Sequence, residues 1–179
     1  MATNLEFIEL IDANTGSASI TVDNVFNKGF DVYFITIRAL TLDGNRSPFM
    51  RLLDSSGSEI VGSGYDRASL ALFAGSSFQQ YKNENSSEWL YIPSLYINNT
   101  LLNSFTSFYV YNAEDTGAYT YITAQGGDNV SGFTGIKSIA ILKDAAAHRG
   151  FSIKYVTGTS DDFTGGTITV YGVRWWLVV

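Results

Sequence analysis

Short runs rich in Val, Ile, Tyr, Phe and Thr recur along this chain, each closed by a cluster of Gly, Asn, Asp or Ser. That rhythm constrains the fold more than any other feature. β-Branched and aromatic side chains fit a pleated, half-buried surface, and the punctuating residues are those that turns require. The clearest run is DVYFITIRALTL, where strand periodicity puts Tyr33, Ile35, Ile37 and Ala39 on one face and Thr36 and Arg38 on the other. The turn signal DGNRSP follows, and FMRLLD resumes the sheet, which predicts a hairpin. ASITVDNVF, EIVGSGY, WLYIPSLYI, SFYVYN, TYITAQ, SIAILKD, FSIKYVTG and TITVYGV read as further strands. Helical periodicity is weak, its best short candidates being LEFIELID and DRASLALF. Eight or more evenly spaced strands predict an all-β fold, an antiparallel β-sandwich that is jelly-roll-like. Its core is expected to set the Tyr33, Ile35, Ile37 face against Ile139 with Ile141 and Ile153 with Tyr155.

A chain of 179 residues suits one domain. Residues 1–28 read as an N-terminal arm or as first strands, 29–173 as the sandwich, and 174–179 as an apolar C-terminal tail. The formal net charge is −6 and the 11 Lys and Arg are scattered singly, which argues against a nucleic-acid partner. The absence of cysteine removes disulfides, thiolate metal sites and thiol nucleophiles. MATNLEFIELIDANTG lacks the basic and apolar regions of a secretory leader, and no apolar run approaches the ~20 residues of a membrane-spanning helix. No membrane partner is expected.

No residue qualifies as catalytic. The single histidine, His148, reads as a loop residue or a pH-sensitive interface contact, and one histidine cannot build a multi-histidine metal site. A Ser nucleophile would need a G-x-S-x-G elbow, which is lacking. Glycoside hydrolysis needs two opposed carboxylates, whereas Glu114 with Asp115 and Asp161 with Asp162 are sequence neighbours in turn contexts. Asp161 and Asp162 are the best positions for a calcium ion, although no EF-hand spacing supports them. Neither a metal nor a cofactor is expected. Tyr109 with Tyr111, and Tyr119 with Tyr121, have period-two spacing. They are open to three readings: core, protein interface, or a glycan platform beside Asn112 and Gln125.

The end of the chain, GGTITVYGVRWWLVV, poses a register conflict. Ile168 and Val170 share one face with Arg174 if the strand runs on unbroken, so Gly172 is expected to hold a bulge that resets the alternation. Two readings of the tail follow. Either it completes a core strand, or Arg174, Trp175, Trp176 and Leu177 form a protein interface, with the tryptophans as anchors.

MATNLEFIELIDA, FDVYFITIRAL, MRLLDSSGS and GGTITVYGVR together resemble small virion structural proteins of tailed bacteriophages, with WWLVV as an extension beyond that pattern. The resemblance runs through most of the chain. It implies a jelly-roll-like domain that decorates the head or belongs to the tail or its fibres, without enzymatic activity. The implied location is the virion, after synthesis in the host cytoplasm. Implied partners are other virion proteins, the major capsid or tail proteins, together with further copies of this chain in a homo-oligomer. A carbohydrate-binding module using the tyrosine strands is the alternative.

Overall fold

A computed structural model describes residues 4–44, 48–75, 78–90, 104–129, 133–155 and 161–174. Its strands are β1 (Leu5–Asp12), β2 (Ser19–Val22), β3 (Val32–Leu42), β4 (Pro48–Leu53), β5 (Tyr65–Phe73), β6 (Gln79–Ser86), β7 (Trp89–Leu90), β8 (Phe105–Tyr111), β9 (Thr120–Asp128), β10 (Thr134–Leu142), β11 (Gly150–Tyr155) and β12 (Phe163–Val173). No helix occurs among the described residues, and every strand pair is antiparallel. Two sheets result: a larger one of eight strands, ordered β1-β12-β3-β8-β9-β10-β5-β6, and a smaller one of four, ordered β2-β11-β4-β7.

This order is a jelly roll with two additions. β1-β12-β3-β8 and β2-β11-β4-β7 alternate between sheets as the chain enters and leaves, giving the paired Greek keys of that architecture. The hairpins β5/β6 and β9/β10 lie outside this scheme and extend the larger sheet beyond β8. The predicted hairpin from β3 to β4 is therefore corrected. β3 pairs with β12 and β8, β4 pairs with β11 and β7, and their connection crosses between sheets. Of the readings for residues 1–28, strands are what the fold contains: β1 forms one edge of the larger sheet and β2 one edge of the smaller.

Both helix candidates are strands, β1 and β5. In β1 the register against β12 slips between Phe7 and Glu9, so Ile8 and Ile11 both pack on the core. A spacing of three is a helical signature, here produced by a bulge. EIVGSGY contributes only its last residue, Tyr65, to a strand, with an isolated bridge at Glu59.

Between the sheets lie Tyr33, Ile35, Ile37, Leu42, Met50, Leu52, Phe108, Val110, Phe151, Ile153, Ile168 and Val170. Loop residues Phe26 and Phe30 complete an aromatic cluster, with Phe26 at 4.8 Å from Tyr33 and 5.9 Å from Phe151. Ala39 does not continue the core face: it sits at φ 51°, and Leu40 and Leu42 take the inward positions after it. Opposite, Gly166 has φ 115° and a Cβ there would lie 2.7 Å from the Leu40 Cα. This paired irregularity is where β12 changes register, between Phe163 and Thr167, so the bulge expected at Gly172 is corrected. Gly172 pairs in step with Tyr33, and its missing side chain makes room for the Phe30 ring, whose Cδ2 would be 2.4 Å from a Cβ.

The expected core partners divide. Ile153 and Tyr155 are buried, but Ile139 is 53% exposed and Ile141 half-buried. The inward residues of β10 are Ile136, Ser138, Ala140 and Leu142. Small side chains suffice there because Trp89 reaches across from the smaller sheet. Its ring lies 6.0 Å from Phe108, and its Nε1–H donates to Ser138 Oγ at 3.2 Å. Ser138 Oγ also bonds Ser69 Oγ at 2.8 Å, so β10, β5 and β7 share one buried polar link.

Candidate functional site: the outer face of the larger sheet

With the small residues of β10 turned inward, its isoleucines join a surface. Partner to partner, one row of outward side chains crosses the whole larger sheet: Phe7, Tyr171, Phe34, Tyr109, Thr123, Ile139, Ala68 and Lys82. The rows on either side run Leu5, Val173, Val32, Tyr111, Tyr121, Ile141, Asp66 and Leu10, Thr169, Thr36, Ser107, Gln125, Lys137, Leu70, Gln80. From β1 to β9 these rows contain no charged residue. Phe7, Leu10 and Ile139 are among the most exposed large apolar residues described.

The rings on β1, β12, β3 and β8 form a ladder. Phe7 lies 6.1 Å from Tyr171, Tyr171 6.2 Å from Phe34, Phe34 4.7 Å from Tyr109, and Tyr109 6.2 Å from Tyr111. Such contacts contribute roughly 0.5–1.5 kcal/mol each beyond area burial. On the other half the central row is smaller, while Tyr121 and Ile141 stand in the row beside it. One open depression is lined by Ala68, Leu70, Gln80, Lys82, Lys137 and Ile139, and another by Ser107, Tyr109, Thr123, Gln125 and Lys137.

The outward face of the smaller sheet is different. Arg51 pairs with Glu59 at 3.1 Å and with Glu88 at 2.7 Å, and Lys154 joins Glu59. Burial pushes the Glu59 carboxyl up, but hydrogen bonds from Lys154 and Arg51 outweigh it and hold the group below the usual carboxylate range. One face of the sandwich is thus an ion-pair surface and the other an aromatic one.

Three of the four tyrosines singled out in the sequence belong to the aromatic face. Tyr109 and Tyr121 are partly exposed, Tyr111 is half-buried opposite Tyr121, and none is core. Tyr119 precedes β9 and accepts a hydrogen bond from Asn112 Nδ2 at its carbonyl. Phe7, Phe34, Tyr171 and Ile139 are the members that sequence reasoning missed. The alternation within β3 and β12 put Phe34 and Tyr171 outward, and only strand order brings them beside Tyr109. At the terminus, the Arg174 guanidinium bonds Glu6 at 2.7 Å and lies 4.9 Å over the Phe30 ring, capping the sheet end. Trp175, Trp176 and Leu177 lie outside the described residues.

The other chemistry-bearing groups have structural positions. Glu114 Oε1 accepts the backbone N–H groups of Lys28, Gly29 and Phe30 at 3.2, 2.9 and 3.3 Å, together with the Tyr33 hydroxyl. Burial, and then the Glu114 carboxylate, push the Tyr33 hydroxyl above its ordinary range. Asp115 accepts the Gly117 N–H at 2.7 Å. Asp162 donates its N–H to Asp43 Oδ1, and Asp161 packs against Gly44. No group of three or more acidic or histidine residues able to hold a metal ion occurs among the described residues. His148 is in the connection between β10 and β11 but is only 2% exposed, and its N–H donates to the Ala113 carbonyl at 2.7 Å. Neither ring nitrogen has a hydrogen-bond partner among the described residues. Burial depresses its pKa, which Asp144 and Asp54 only partly offset.

No family model and no curated protein matches this chain. Among solved structures, a fructofuranosidase of Schwanniomyces occidentalis complexed with fructosylnystose aligns at 7% identity and TM-score 0.25, over 96% of this chain and 35% of that one. A β-fructofuranosidase of the same organism complexed with fructosyl-erythritol aligns at 8% identity and TM-score 0.24, with the same coverage. The chain therefore spans about a third of these structures, at a similarity that carries no argument about activity.

Proposed function

We propose that this chain is a non-enzymatic structural protein of a bacteriophage virion, a head decoration or cement protein or a tail or fibre component, acting through protein–protein contacts. The observation that carries the reading is the outer face of the larger sheet, whose three middle rows are uncharged from β1 to β9 and carry an aromatic ladder, with Asp12 and Arg38 in the next row. Apolar surface of that extent beside an ion-paired opposite face suits a partner of matching shape. In the same proposal, Trp175, Trp176 and Leu177 add a second contact, which deletion of residues 175–179 tests through the protein's incorporation into particles. The central test is mass spectrometry and immunogold labelling of purified particles. The protein should be present at a fixed ratio to the major capsid or tail protein. Its absence from particles, while abundant in the same infected cells, would overturn the reading.

Glycan binding is the second reading, favoured by the depression where Tyr109 stands beside Ser107, Thr123 and Gln125. Retardation of the protein in polysaccharide gels, abolished by Tyr109→Ala, would support it. Unretarded migration on host-surface polysaccharides would exclude it.

A further inference from the structure

The larger sheet's outer face is divided in a way that says what covers it. Its central row is bulky on one half, Phe7, Tyr171, Phe34 and Tyr109, and small or slender on the other, Thr123, Ile139, Ala68 and Lys82. The boundary falls between β8 and β9, which is also the midline of the eight strands. A two-fold axis along that midline, parallel to the strands, carries β12 over β5, β3 over β10 and β8 over β9 of a second copy. It keeps the row level with itself. Tyr171 then faces Ala68, Phe34 faces Ile139, Tyr109 faces Thr123, and Phe7 faces the Lys82 side chain, whose aliphatic stem and ammonium both suit an aromatic ring.

We propose that two copies of this chain associate face to face through the outer surface of the larger sheet, the aromatic part of each central row seated on the small part of its partner's, with Tyr111 meeting the partner's Tyr121 beside the axis. This deepens the protein-contact reading above by naming the partner. An isologous interface of this kind needs one self-complementary patch, which the midline division provides. The size also fits. Strands about 4.8 Å apart make a face roughly 34 Å wide, and three rows of side chains about 20 Å tall, so about 700 Å² per copy against the ~800 Å² of a stable interface.

Two features favour the face over the edges as the site of association. β1 is interrupted by its bulge and carries Glu6 and Glu9, and β6 carries Lys82 and Glu84, devices that discourage edge pairing. A glycan is less well matched to the ladder, because Phe34 spends its ring faces on Tyr109 and Tyr171.

The test uses the full chain in analytical ultracentrifugation. The wild-type protein should sediment at twice the 19.6 kDa chain mass. Phe34→Asp and Ile139→Lys, both outward, should each keep the wild-type circular dichroism and raise the dissociation constant more than about tenfold. Mixed in equal amounts, the two variants should recover a dimer, because the two-fold places the new Asp opposite the new Lys. A monomeric wild-type protein, variants that still dimerise, or a mixture that stays monomeric would overturn the proposal. So would a monomer whose outer face binds a glycan. The virion reading is judged separately, by presence in particles, and survives a monomeric result.

Discussion

Replacing Trp89 tests the link that fastens the β9/β10 and β5/β6 extension to the smaller sheet. The indole is fully buried, meets Phe108 edge-on at 75° and hydrogen-bonds Ser138. A tryptophan buries roughly 150–250 Å², which at about 25 cal/mol per Å² corresponds to about 4–6 kcal/mol of transfer free energy. Trp89→Ala should therefore cost about 3–5 kcal/mol, the usual range for such a deletion. Trp89→Phe keeps most of the ring but loses the Nε1–H donor and leaves a small void. About 1 kcal/mol for each gives ~2 kcal/mol. For a chain of this size that lowers Tm by roughly 4–8 °C. Urea titration of wild type, Trp89→Phe, Ser138→Ala and the double variant closes a cycle. Its coupling energy should be about 1 kcal/mol, because the hydrogen bond is lost in either single variant. A cost below about 0.5 kcal/mol for Trp89→Phe, or additive single effects, would mean that the indole does not reach β10.

His148 predicts a pH dependence. Its folded pKa lies below the unfolded value of 6.5, so the unfolded chain binds the extra proton. Its contribution is complete above that value and is lost as the pH falls below it, by at most about 1.4 kcal/mol per pH unit. Urea midpoints between pH 7 and pH 5 should fall more steeply for wild type than for His148→Gln, and parallel curves would refute the assignment. Gly166→Ala should cost about 3 kcal/mol by thermal melt, combining strain at φ 115° with a contact 2.9 Å from the Ala39 carbonyl. An unchanged Tm would place the bulge elsewhere.

Most strands were legible in the sequence, because alternation in β3, β8, β9 and β11 is a local property. Which face of a strand is buried was legible only where the pattern is one-sided. In β3 the inward Tyr33, Ile35 and Ile37 stand out against Thr36 and Arg38. In β10 hydrophobicity points the wrong way, since Ile139 and Ile141 are outward while Ser138 and Ala140 are buried, Ser138 against Trp89 some fifty positions earlier. The β1 bulge imitated a helix for the same reason that periodicity is blind to insertions. Tyr109, Tyr111 and Tyr121 were visible as a candidate surface. Their extension through Phe34, Tyr171 and Phe7 was not, because it depends on β12 lying between β1 and β3, a consequence of jelly-roll topology.

The assignment of faces in the larger sheet underlies everything proposed for this protein, and the absence of native cysteine allows it to be read directly. Single variants Gln125→Cys and Ile139→Cys sample the outer face, and Ala124→Cys and Ala140→Cys the core face, one position away on the same strands. Under dilute native conditions the first two thiols should react with a maleimide probe at close to the rate of an unstructured peptide thiol. The second two should react only when denaturant unfolds the chain. Protection at Ile139→Cys with rapid labelling at Ala140→Cys would contradict the account.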